Sequence, residues 1–84
     1  MHMAWASTPM AAISKHKADL TAIGRRIRQL RGAERQDDFA PLLGITQGHL
    51  SKIERGMQAP TVEVLLRLHE RYGKSVDWIL RGEK

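Results

Sequence analysis

One stretch of twenty-one residues, QDDFAPLLGITQGHLSKIERG (36–56), restricts the fold more than anything else in the chain. It reads as two short amphipathic helices around a glycine. Phe39, Leu42 and Leu43 fall on one side of the first, which spans 36–43. Gly44 ends it and can take the left-handed conformation that a tight turn demands. Thr46 caps the next helix, which runs to about Arg55, with Ile45 and Leu50 at the positions of a hydrophobic staple and Gly56 as its stop. Ala40 is small where one helix must cross the other. Phe39, Ile45, Leu50 and Ile53 are apolar where the two helices face each other and a core. Two helices joined steeply by a short glycine-containing turn form a helix-turn-helix.

The flanking segments carry the same period. Leu20, Ile23, Ile27 and Leu30 make one apolar stripe, with Asp19 as N-cap and Gly32 as stop. Pro60-Thr61 opens a fourth helix, capped by Thr61, with Glu63 in its electropositive first turn and Gly73 at its end. Val62, Leu65, Leu66, Leu68 and Tyr72 are expected on its apolar side. Ser75 caps a short last helix with Val76, Trp78, Ile79 and Leu80 mostly inward. No segment reads as a strand. The expected fold is all-α, five short helices in a single domain over 19–84. Residues 1–18 follow no clear period, and Pro9 breaks any early helix. They are expected to form a flexible tail or a basic arm (Lys15, His16, Lys17) suited to phosphates. The opening Met-His-Met has the look of a cloning remnant and is set aside.

A core this small needs help from tight packing, a metal, disulfides or a partner. The 84 residues include no cysteine, and His2, His16, His49 and His69 have no ligand spacing, so no metal or other cofactor is expected. Helix packing aided by dimerisation remains. No apolar run is long enough to cross a bilayer and no signal peptide is evident, so a cytoplasmic, nucleoid-associated protein is expected. Nothing suggests an enzyme: there is no nucleophile–base pair, carboxylate cluster or phosphate-cradling loop.

The charge is 14 Lys+Arg against 9 Asp+Glu, a formal net +5, which suits a polyanion. The third helix sharpens that. At about 100° per residue, Thr46, Leu50 and Ile53 cluster on one side, and Gln47, Gly48, Ser51, Lys52 and Arg55 on the other. That outward face is short and polar and lacks the Glu/Lys pairs of an ordinary solvated face. Gln suits adenine, Lys suits guanine O6/N7 and Ser suits either, so Gln47, Gly48, Ser51 and Lys52 are the candidate base-reading residues in double-stranded DNA. Gly48 weakens a helix by about 1 kcal/mol relative to Ala. Either DNA approaches the backbone there or no side chain is needed. Candidate phosphate donors are Gln36, at a helix start that favours an anion, and His49, Arg55 and Arg25. His49 points sideways, toward a phosphate or into a half-buried site. Arg25, Arg26, Arg28 and Arg31 make up either a phosphate-binding rim or a solvated face.

The pieces IRQLRG, RQDDFAPLLGITQGHLSKIERG, APTVEVLLRL and SVDWILRGE together resemble the Cro and lambda-repressor, or Xre, type of helix-turn-helix protein, phage-repressor-like at its end. The resemblance covers Ile23 to Glu83. It implies the five-helix fold, a third helix in the major groove, a phosphate on Gln36 and an ion pair of Arg31 with Glu54. Three features depart from the family's pattern. Arg35 stands where a Ser or Thr cap is usual. Pro41 lies inside the second helix, where it costs about 3 kcal/mol outside the first turn, so that helix starts near Asp38 or bends. His69 takes a core-facing position as a packing histidine.

The leading expectation is a repressor that binds a palindromic operator as a homodimer, with Trp78 and Ile79 of the last helix either at the dimer surface or in the core. The alternative is an antitoxin or protein-interaction module of the same fold, with a toxin or a missing C-terminal domain as partner. An uncharged outward face on helix three argues against a purely bridging role.

Overall fold

The computed structural model describes residues 18–82. The expected tail and its Lys15–Lys17 arm lie outside the described residues, apart from Ala18. Five helices follow in order: α1 (Leu20–Arg31), α2 (Gln36–Phe39), α3 (Gln47–Glu54), α4 (Val62–Tyr72) and α5 (Val76–Arg81). A 3-10 turn, Ala40–Leu43, continues α2. No strand occurs among the described residues, and no described helix is long and apolar enough to cross a membrane.

Each expected cap is made. Asp19 accepts from the Ala22 amide at 3.1 Å, Thr46 from His49 at 3.1 Å, Thr61 from Val64 at 3.2 Å and Ser75 from Trp78 at 2.9 Å. Each bond satisfies one of the amides that a helix start leaves without a partner. Only α2 lacks a side-chain cap, because Arg35 has no acceptor to offer; it pairs instead with Asp38 at 3.2 Å. Pro41 does not delay α2. The helix begins at Gln36 and tightens into 3-10 geometry at Ala40, so the proline falls in the first turn of the tightened segment. There its missing N–H is harmless. Gly44 ends this segment with φ of 73°, and its amide donates to the Pro41 carbonyl at 3.1 Å.

The core is one cluster drawn from every helix: Ile23 and Ile27, Phe39, Leu43, Leu50 and Ile53, Val64 and Leu68, and Ile79. Phe39 is fully enclosed, its ring 6.0 Å from that of Tyr72, which ties α2 to the end of α4. On α4 the inward stripe is Val64, Leu65 and Leu68, whereas Val62 and Leu66 are 72% and 50% exposed, contrary to expectation. Each of those two sits two residues from Val64, about 200° around the helix, so a run this apolar cannot bury every member. Leu80 is exposed as well. His69 is exposed rather than core-facing; one step beyond Leu68 it turns outward, and its Nδ1–H donates to the Lys74 carbonyl at 2.8 Å, bracing the turn into α5. Ile79 is wholly buried, so it belongs to the core and not to a dimer surface. Trp78 is half-buried beneath the Lys74 ammonium, 4.9 Å from its ring centre.

One tight helix crossing depends on a glycine. Gly24, in the middle of α1, lies against the C-terminal end of α3. A Cβ there would strike the Ile53 carbonyl and stand 2.6 Å from that of Glu54. Those are backbone atoms, which cannot swing aside. Gly24→Ala is therefore expected to push the helices apart and lower stability by about 1–3 kcal/mol, the usual cost of overpacking, even though alanine favours helices. Urea unfolding followed by circular dichroism measures it.

Candidate nucleic-acid interface

The crossing at Gly24 brings four helix ends together. Arg31 is the last residue of α1, Gln36 the first of α2, and Gln47 and Glu54 the first and last of α3. Arg31 and Gly24 are two turns apart on one face of α1, so the close approach at Gly24 places Arg31 beside Glu54. The guanidinium grips the carboxylate with two bonds, Nε to Oε2 at 2.7 Å and Nη2 to Oε1 at 2.9 Å. Its Nη1 donates to the Glu34 carbonyl at 2.7 Å, which fixes the loop between α1 and α2. The two side chains are only 13% and 4% exposed. The hydrogen bond to Glu54, first, and then its charge hold the Arg31 pKa above its ordinary value, against the opposing effect of burial. The raised pKa means that the folded state favours the charged guanidinium more than the unfolded chain does.

Glu54 Oε1 also accepts from Gln36 Nε2 at 2.9 Å, and Gln36 Oε1 accepts from Gln47 Nε2 at 2.7 Å. A carboxylate only accepts, so the amide of Gln36 can face it only with nitrogen. That leaves oxygen toward Gln47, which must answer with its own nitrogen. One buried charge thus sets the orientation of two amides in succession. Gln47 is left exposed, with its Oε1 and one amide hydrogen unused within this chain of bonds. That pair of groups suits the N6 and N7 edge of adenine.

Along α3, Gln47, Gly48, Lys52 and Arg55 are exposed and Ser51 is half-buried. Glu54 is turned inward and paired, so the outward face of the helix carries no free acid. Arg55 folds back, its Nε 3.3 Å from the Ser51 carbonyl. His49 is half-buried, and its Nε2 is sealed from solvent with no hydrogen-bond partner. That nitrogen is not one that meets a phosphate, and the half-buried alternative describes the ring.

The α1 arginines divide. Arg31 is structural, and so is Arg26, whose Nη1 donates to the Ile79 carbonyl at 2.9 Å and holds the end of α5. Arg25 and Arg28 are exposed and make no ion pair among the described residues. Arg25 remains apart from the four-residue network. At the start of α2, the exposed Asp37 and Asp38 disfavour an anion, and Arg35 offsets Asp38 only through a solvated pair.

The Arg31–Glu54 pair was implied by family resemblance alone. The link from Gln36 to Gln47 was not foreseen, although a glutamine at the first position of both helices of the unit was a visible signal. Gly24 was likewise missed; a lone glycine inside a helical pattern often marks close packing.

Comparison with known proteins agrees with this fold. A profile of the helix-turn-helix family matches residues 25–79, more than half of the chain. A crystal structure of the P22 c2 repressor protein, in complex with a synthetic operator, superposes with a TM-score of 0.66 at 32% identity, covering 73% of this chain and 96% of that one. No curated protein matches in sequence.

The buried pair supplies a direct test. Glu54→Ala leaves Arg31 enclosed without its partner and both glutamines without their reference. Removing one member of a buried pair costs about 3–5 kcal/mol, a large part of the stability of a domain this size. Thermal and urea unfolding of the variant without DNA should show that loss. The exposed Arg35–Asp38 pair is the control, and Asp38→Ala should cost less than about 1 kcal/mol.

Proposed function

The chain belongs to the helix-turn-helix family, in its phage-repressor-like Xre branch, and from that premise we propose that it regulates transcription by binding a specific double-stranded DNA sequence. The observation that carries the proposal is the exposed face of α3, free of acid and anchored to the core through Gln47, Gln36, Glu54 and Arg31. The matched P22 c2 repressor was crystallised with its operator, which supports a DNA partner for this chain.

In this reading α3 lies in the major groove. Gln47, Gly48, Ser51 and Lys52 meet base edges, with the preset amide of Gln47 toward adenine and Lys52 toward guanine. Arg55 and Arg25 meet phosphates from either side, and Gln36 contributes its remaining amide hydrogen against the adverse charge of Asp37 and Asp38. None of these phosphate contacts carries sequence information; they fix the register in which the bases are read.

A helix of eight residues is about 12 Å long and spans few base pairs. One copy therefore cannot single out a site within a genome. We propose a homodimer on a palindromic operator, with two copies of α3 about 34 Å apart, one DNA turn. Repression follows if the occupied site overlaps a promoter.

Selection from a random duplex library, sequencing and a salt titration on the winner test this proposal. The expected result is one enriched inverted repeat, bound with an affinity that falls steeply as salt rises, because each neutralised phosphate releases counterions. Gln47→Ala and Lys52→Ala should keep the fold and lose about 1–3 kcal/mol of discrimination at one base step each. If both variants select the original sequence with full stringency, α3 is not the reading element.

A further inference from the structure

The exposed apolar residues of α4 are not scattered. Val62 and Leu66 lie one turn apart on the same side of the helix, 72% and 50% exposed. Beside them Glu63, Arg67 and Arg71 form a second row at the same four-residue spacing. Leu42, half-buried on the 3-10 turn, completes a groove with Leu66, Glu70 and the three charged residues of that row. None of the residues that line the groove comes from α3, so an occupant would leave the reading face open.

We propose that this face of α4 receives the same face of a second copy of the chain, and that the contact makes two copies bind an inverted repeat cooperatively. It rests on the homodimer proposed above and names its surface. Charge selects the occupant. The groove carries acids and bases, Glu63 and Glu70 with Arg67 and Arg71, so it suits neither a polyanion nor a protein surface of one sign. The row of Glu63, Arg67 and Arg71 reads acid, base, base, and a two-fold axis reverses that order in the second copy. Laid antiparallel with the axis at Arg67, Glu63 of each copy meets Arg71 of the other. The two pairs then stand eight residues apart, about 12 Å. The two Leu66 side chains meet near the axis, and Leu42 and Val62 widen the apolar strip. Arg67 stays beside Glu63 of its own chain, 3.0 Å away, which offsets the like charges on the axis. Glu70 comes within one helical turn of the second copy's Arg67. Val62, Leu66 and Leu42 offer little apolar surface beside the ~800 Å² that each partner buries in a stable complex. The contact is therefore weak between free chains and takes effect on DNA, where adjacent half-sites raise the effective concentration.

Titrations of the full chain on the selected inverted repeat, and on a duplex that holds one half-site, test this. Per half-site, the unmodified chain should bind the repeat about tenfold or more tightly than the isolated half. Glu63→Arg and Arg71→Glu should each remove most of that gain, because each substitution turns both pairs into like charges. The double variant should recover the gain to within about twofold, since the pairs re-form with their signs exchanged. All three should bind the single half-site within about twofold of the unmodified chain, because the residues are exposed and distant from α3. Val62→Glu, at a helix start that favours an acid, should also lose the gain, and it decides the matter if a charge reversal disturbs half-site binding. Equal affinity of the unmodified chain for the two duplexes, per half-site, would overturn the proposal. So would single variants that keep the full gain, or a double variant as weak as the singles. If no inverted repeat is enriched, the homodimer reading fails first and this proposal falls with it, a result distinct from the others.

Discussion

The buried contact between Arg31 and Glu54 is the interaction on which the rest of this structure depends. It joins the end of α1 to the end of α3, and both side chains are nearly withdrawn from water. Such a pair earns little net stability against a well-packed apolar alternative, because desolvating two charges is expensive. Its value lies in what it orders. The bidentate grip fixes the carboxylate, the carboxylate fixes the amide of Gln36, and that amide fixes Gln47 on the outer surface. A flexible glutamine becomes an extension of the core, with less side-chain entropy left to lose in the base contact we propose for it.

The same pair shapes the charge of the surface. An unpaired glutamate on α3 would set a negative charge on the face we propose for DNA and would repel phosphate. Turned inward and neutralised, Glu54 leaves Lys52 and Arg55 as the charges on that helix. Arg25 and Arg28 extend the basic surface onto α1, while Arg26 is spent on the end of α5. The net +5 of the chain therefore says nothing of where its basic charge sits. The geometry behind the pair rests in turn on Gly24, since any side chain there would hold α1 away from the carbonyls of Ile53 and Glu54.

Much of this was legible in the sequence because it depends on local rules. Asp19, Thr46, Thr61 and Ser75 each precede an apolar period, and each caps a helix. Gly44 marks the turn because few other residues tolerate its conformation. The outward residues of α3 followed from angular spacing alone. What was misread depends on the third dimension. Val62 and Leu66 look like core residues in a run that holds more apolar side chains than one helix face can bury. Ile79 and Trp78 look alike in sequence, yet only Ile79 is enclosed. His69 was assigned by position in a family pattern, and its ring found the Lys74 carbonyl instead. Pro41 pointed to a late start or a bend, and the chain adopted a 3-10 turn. The hydrogen bonds through Gln36 span eleven and eighteen residues, so no local pattern could reveal them.

The central claim is that Gln47, the proposed reading residue, is held by a network reaching into the core. A double-mutant cycle on Gln36 and Gln47, measured as affinity for the selected duplex, tests it most directly. If Gln36 positions Gln47, the two alanine substitutions share a loss, and the double variant binds better than the sum of the single losses by about 1 kcal/mol or more. Losses that add to within about 0.3 kcal/mol would mean that the two glutamines act independently, and the account would be wrong.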